Sequence, residues 1–200
     1  MKLLLIRHGE TKEGKNNIIL GHLPGKLTKK GKEFAKQVAK TIKKSDINPS
    51  LIISSDLFRA KNTATIISKI LELPIEYEKL LRERSAGKSE GKSEKEINWK
   101  EYEKKTKLYR SHPEGESFIE VKNRAKKFLH KIKDVRHKTI IIVSHNVFLS
   151  MLISEFFKRS IEKCLKYSFD KKITIINTRK KSGVENIPLP IKRTSSGRKK

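Results

Sequence analysis

The sequence predicts an α/β fold with a largely parallel sheet, and three observations predict it. Two apolar runs, Leu3 to Ile6 and Thr139 to Val143, lack polar alternation, the pattern of strands covered on both faces. Amphipathic segments with helical spacing lie between them. Strands and helices alternate along the chain, the order expected of βαβ units with right-handed crossovers.

Each element has its own signal. Leu51-Ile52-Ile53 is a third, shorter strand. Phe34, Val38 and Ile42 with Ala35 and Ala39 form one helical stripe, and Ala60, Ala64, Ile67 and Leu71 form another, both suited to packing on a sheet. A third helix starts at a capping box, Ser117-Phe118-Ile119-Glu120, and continues with Val121, Ala125, Phe128 and Ile132. Leu165 to Phe169 and Lys172 to Thr178, separated by Asp170-Lys171, read as a hairpin, so the sheet is expected to be mixed.

A chain of 200 residues, 35% hydrophobic, can bury one core, and a single domain over 1–190 is expected. The remaining 191–200 carry Lys192, Arg193, Arg198, Lys199 and Lys200 among Ser and Gly, the composition of a disordered basic tail. The single cysteine, Cys164, excludes an internal disulfide and suits a reducing compartment, the cytoplasm by default. Leu3 to Ile6 is too short for the core of a signal peptide, since Arg7 and His8 interrupt it. Val147 to Phe157 is the longest apolar run and falls well short of the roughly 20 residues that span a bilayer, so no membrane partner is expected.

Forty-eight Lys plus Arg against 22 Asp plus Glu give a formal charge of +26. The excess is spread in pairs such as Lys29-Lys30 and Lys126-Lys127, which reads as solvated helix faces. Nucleic acid is a partner this charge would tolerate but does not favour.

The chemistry lies where the strands end. In open α/β sheets ligands bind beyond the carboxyl ends of the strands. Arg7-His8-Gly9-Glu10-Thr11 follows the first strand, Ser54-Ser55-Asp56 and Arg59 follow the second, and Ser144-His145-Asn146 follows Thr139 to Val143. Two arginines, two histidines and several hydroxyls thus converge, a set that matches a phosphoryl dianion. Arg7 and Arg59 offer permanently charged planar forks. His8 can attack phosphorus from a deprotonated ring nitrogen, and neighbouring guanidinium groups disfavour its charged form. Gly9 allows close backbone approach, and His145 can donate to charge that builds on the transferring oxygens. His22, His112, His130 and His137 read as ordinary structural or surface histidines, and Asp56 as a helix cap.

Arg7-His8-Gly9-Glu10-Thr11 resembles the signature of the histidine phosphatase superfamily, the phosphoglycerate mutase-like proteins. Gly21, Leu27-Thr28 with Gly31, Ser54-Ser55-Asp56-Leu57 with Arg59-Ala60, Thr63-Ala64, Leu81-Arg82-Glu83, Glu90-Gly91, Gly115-Glu116-Ser117, Arg124 and Ser144-His145 follow in the same order. The resemblance implies a three-layer α/β/α sandwich and a covalent phosphohistidine on His8, with Arg7, Arg59 and His145 as the phosphate pocket. It implies that Glu83 protonates the leaving oxygen and then activates water, with Glu10 as the fallback for proton transfer. It implies that no metal is needed, and for a phosphatase no cofactor is expected. Where the family often has Asn, this chain has Gly14, for which Asn16 or Asn17 is a substitute if the loop shifts; Ile18 and Leu20 replace a frequent Arg and Gln.

The expected activity is a phosphatase acting on a small phosphorylated metabolite, with Arg84 to His112, including Trp99 and Tyr102, as a selecting lid. The alternatives are a cofactor-dependent mutase and a catalytically inactive binding module for RNA or another polyanion. The sequence names neither the substrate nor an oligomeric state.

Overall fold

The computed structural model describes residues 1–178 and 183–190, so the predicted basic tail lies outside the described residues. Among the described residues, strands β1 (Lys2–Arg7), β2 (Leu51–Ser54), β3 (Ile75–Tyr77), β4 (Thr139–Ser144), β5 (Lys172–Asn177) and β6 (Val184–Pro188) form one sheet in the order β3-β2-β4-β1-β5-β6. The first four strands of that order run parallel, while β5 runs antiparallel to both β1 and β6. The sheet is mixed, as expected.

Both faces of the sheet are covered, which explains the unbroken apolar runs. Leu3, Leu5, Ile140 and Ile142 pack against helices α5 (Phe118–Lys131) and α6 (Asn146–Phe157). Their neighbours Leu4, Ile6, Ile141 and Val143 pack on the other face against α2 (Lys29–Lys43) and α3 (Phe58–Leu71). Successive side chains of a strand point to opposite faces, so a strand in the middle layer needs apolar residues at every position. The Ser117 capping box is present at the start of α5.

Two local expectations are corrected. Ile161–Leu165 is a short helix, α7, in which Ser160 accepts the Lys163 N–H and Ile161 and Cys164 are buried one turn apart. The strand after Asp170-Lys171 therefore pairs with β1 and β6 rather than with the segment before it; Lys171, at φ 55°, turns the chain into β5. At the start of α3, Leu57 is the capping residue and makes no side-chain cap bond. The Asp56 carboxylate instead accepts from Arg82 at 2.7 and 2.5 Å, and that bond holds its pKa below the usual carboxylate range. No helix is long and apolar enough to cross a membrane among the described residues.

Candidate active site

Sheet order decides which residues meet. Adjacent strands β1 and β4 are in register at Arg7 and Ser144, and the His8 N–H donates to the Ser144 carbonyl at 2.9 Å. The next residue of each strand is a histidine, and the His8 and His145 ring centroids lie 5.1 Å apart. On the far side of β4, β2 delivers Ser55 and then α3, whose second residue is Arg59.

The His8 ring is held through Nδ1, 2.8 Å from the Gly9 carbonyl oxygen. A carbonyl can only accept, so Nδ1 carries the proton and Nε2 keeps its lone pair. Arg59 Nε–H donates toward that Nε2 at 3.2 Å. Burial holds the His8 pKa well below the ordinary histidine value, and the charges of Arg59 and Arg7 add to the effect. The ring is neutral at pH 7, with its unprotonated Nε2 beside a guanidinium.

Arg59 is itself fixed from every side, being 2% exposed. Its Nη2 donates to the Gly21 carbonyl at 2.8 Å and its Nη1 to the Leu23 carbonyl at 2.9 Å. Thr63 Oγ1, one turn along α3, donates to the Arg59 carbonyl at 2.8 Å and accepts the Gly9 N–H at 3.0 Å. A Cβ on Gly9 would strike the Gly31 carbonyl in the first turn of α2, so glycine is required where the loop after β1 crosses that helix.

His145 is fully buried, with Nε2 2.9 Å from Ser55 Oγ. Ser55 Oγ also accepts the Leu57 N–H at 3.3 Å, and among the described contacts His145 Nε2 is the acceptor within reach of its own hydrogen. That arrangement places the proton of a neutral His145 on Nδ1, and burial, followed by the charge of Arg59, holds this ring neutral too. Among the described residues His145 Nδ1 and Arg7 Nε are buried polar atoms with no protein partner. Buried donors are normally paired, so two orphans at adjacent strand ends are suited to a ligand with several acceptor oxygens. Arg7 Nη1 is anchored at 2.7 Å by Asp170, in the loop before β5.

Glu83 follows the helical turn Lys79–Leu81 and lines the same cleft. Its carboxylate accepts the Arg84 N–H at 2.9 Å and, more weakly at 3.4 Å, the Val147 and Phe148 N–H groups in the first turn of α6. Arg124, on α5, holds this loop by donating to the carbonyls of Leu80, Arg82 and Glu83, and is itself paired with Glu116 at 2.7 Å. His145 immediately precedes α6, so the Glu83 loop and the second histidine share one helix terminus.

The cleft has a volume of about 1630 Å³ and is lined by Arg7, His8, Gly9, Glu10, Arg59 and Glu83 among others. Glu10 accepts from Thr28 Oγ1 at 2.6 Å at the rim. Asn16 ends the short helix α1 (Lys12–Lys15), and it is Gly14 and Lys15, with Ile18, Ile19 and Leu20, that line the cleft there. The segment from Arg84 to His112 forms one wall, where Trp99, Tyr102 and His112 make edge and stacked contacts and Arg84 donates to the Tyr102 hydroxyl at 2.9 Å. Asp170 carries no sequence signal for this site, because only the fold brings a turn residue back to Arg7. Among the described residues no group of three or more His, Cys, Asp or Glu is placed to hold a metal ion.

Comparison with known proteins gives the same picture. An Escherichia coli protein named "Probable phosphoglycerate mutase GpmB" is 34% identical over 160 residues, covering 77% of this chain and 74% of that one. The solved structure of the alpha-ribazole phosphatase from Shigella flexneri superposes with a TM-score of 0.82 at 26% identity, over 94% of this chain and 96% of that one. Bacillus stearothermophilus YhfR superposes with a TM-score of 0.78 at 28% identity, over 88% and 90%. The sequence model of the histidine phosphatase superfamily (branch 1) matches residues 3–184, from the first strand through His8 and His145 to the start of β6, and the chain belongs to that superfamily.

Proposed function

We propose that the protein is a phosphatase that hydrolyses a small phosphomonoester through a phosphohistidine on His8. The observation that carries this reading is the His8 tautomer: Nδ1 is committed to the Gly9 carbonyl, leaving a neutral ring with Nε2 in an arginine-lined cleft.

In the first step the Nε2 lone pair attacks phosphorus while the bond to the ester oxygen breaks, and Glu83, as the carboxylic acid, gives its proton to the departing oxygen. In the second, Glu83 as carboxylate takes a proton from water, whose oxygen attacks phosphorus. The P–N bond breaks, returning neutral His8, protonated Glu83 and inorganic phosphate. Arg7, Arg59 and the Nδ1–H of His145 hold the phosphoryl oxygens as charge shifts among them.

The cleft favours a small substrate over a polyanion. Beyond Arg7 and Arg59, its cations Lys15, Lys30, Arg84 and Lys171 are matched by Glu10, Glu33, Glu94 and Asp170, so the +26 charge is not concentrated there. A mutase is the second reading, favoured by the name of the Escherichia coli relative. The solved structure named as a phosphatase and aligned over nearly its full length supports hydrolysis.

The test is a panel of phosphorylated metabolites, including 2- and 3-phosphoglycerate, with free phosphate and isomerised product detected separately. Free phosphate is expected, with His8→Ala losing at least about 10⁴-fold in kcat/KM, as for removal of other covalent nucleophiles. Phosphoglycerate interconversion without phosphate release would establish the mutase instead. Wild type and His8→Ala equally inert would leave a binding module.

A further inference from the structure

His22 was read from sequence as an ordinary histidine, yet it joins the two halves of the site. The carbonyls of Gly21 and Leu23 accept from Arg59, and the ring between them reaches the other way, with Nε2 2.8 Å from the backbone carbonyl of Glu83. That carbonyl can only accept, so His22 Nε2–H donates. Two features fix the segment. The His22 N–H donates to Glu90 Oε1 at 3.0 Å, and Gly21, at φ +47°, leaves room for the Glu90 carboxylate where a Cβ would collide with it. The same Glu90 oxygen accepts the Ala86 N–H at 3.0 Å, just beyond Glu83.

We infer that His22 is a positioning residue for proton transfer: through the Glu83 carbonyl it sets where the Glu83 carboxyl stands relative to the phosphoryl group held by Arg59. The inference rests on Glu83 acting as the acid in the proposed phosphatase reaction. Arg124 also donates to that carbonyl, at 3.2 Å, but approaches from α5 and has no link to Arg59. Only the 21–23 segment touches both partners among these contacts. Because Arg59 is held there by backbone carbonyls, losing the ring leaves the phosphate clamp in place, leaves Arg124 on the Glu83 loop, and removes the tie that sets that loop relative to the clamp.

The test is the leaving-group dependence of kcat/KM across substituted phenyl phosphates, from p-nitro to p-methoxy, for wild type, His22→Ala and His22→Gln. A good leaving group needs little protonation. His22→Ala should therefore lose under about threefold on the p-nitro ester and roughly 10- to 100-fold on the p-methoxy ester. Inhibition by inorganic phosphate should be unchanged. His22→Gln, whose amide can still donate to the carbonyl, should restore the shallow dependence. A uniform loss across the series, or a parallel weakening of phosphate inhibition, would show a general structural or clamp role and overturn the inference alone. Wild type inert on every ester would overturn the phosphatase reading, and the inference with it.

Discussion

The floor of the cleft and its wall are built on different principles. On the floor, His8, Arg59, Ser55 and His145 stand at strand ends or in the first turn of α3, and each is fixed by backbone groups or by a buried hydroxyl. The wall from Arg84 to His112 is a set of short helical turns with helix α4 (Trp99–Glu103), tied at a few backbone points such as Gly91 N–H to the Ile19 carbonyl and Glu94 N–H to the Asn17 carbonyl, with Trp99 and Tyr109 left exposed. The floor has one arrangement because burial makes every misplaced polar atom costly. The outer part of the wall is freer, so in the proposed reaction the floor would carry the chemistry and the wall the selection of the leaving group.

If this division holds, the largest effect comes from the floor. Arg59→Gln should lower kcat/KM by roughly 10³-fold, the scale of losing a charged clamp at a transferring phosphoryl group. It also removes one cause of the low His8 pKa, so the pH at which activity falls on the acid side should move upward, toward the ordinary histidine value near 6.5. Wild type should keep its activity below that pH, and a pH profile of kcat/KM measures both. Ser55→Ala should cost roughly 10- to 100-fold in kcat, because His145 Nε2 loses its donor and the proton is no longer held on Nδ1. A loss below about twofold would remove Ser55 from the account.

Burial of two neutral histidines also affects stability. Their folded pKa values are depressed, so the unfolded chain binds more protons as acidity increases. Stability is fully present above the unfolded pKa near 6.5 and is lost as pH falls from there toward the folded values. The melting temperature should drop between pH 7 and pH 5, and His8→Asn should lessen the drop. The smallest effect on the chemistry belongs to the wall: Trp99→Ala should change p-nitrophenyl phosphate hydrolysis by less than about threefold yet reorder preference among metabolites. An equal loss on all substrates would dissolve the distinction between floor and wall.

The same division explains what could be read from sequence. That His8, Arg59 and His145 come together was legible because three strand ends carry the same kind of chemistry; a lone histidine after a strand would more often be structural. Strands β1, β2 and β4 and helices α2, α3, α5 were legible from unbroken apolar runs and helical stripes. Strand β3, three residues long and half exposed, carries no such pattern. The expected hairpin failed because turn residues at Asp170-Lys171 mark a reversal without naming the partner strand, which proved to be β1. Asp170 and His22 were invisible for a related reason. Their contacts lie 163 and 61 positions away, and only the assembled sheet and its loops create them.

A phosphoryl group carried on Nε2 of His8 can be trapped. Wild type quenched in alkali during turnover and digested should yield an acid-labile, alkali-stable phosphate on the peptide containing His8, with phosphorus NMR assigning it to Nε2 and His8→Ala giving none. Steady turnover without label on that peptide, or label at Nδ1, would contradict the account.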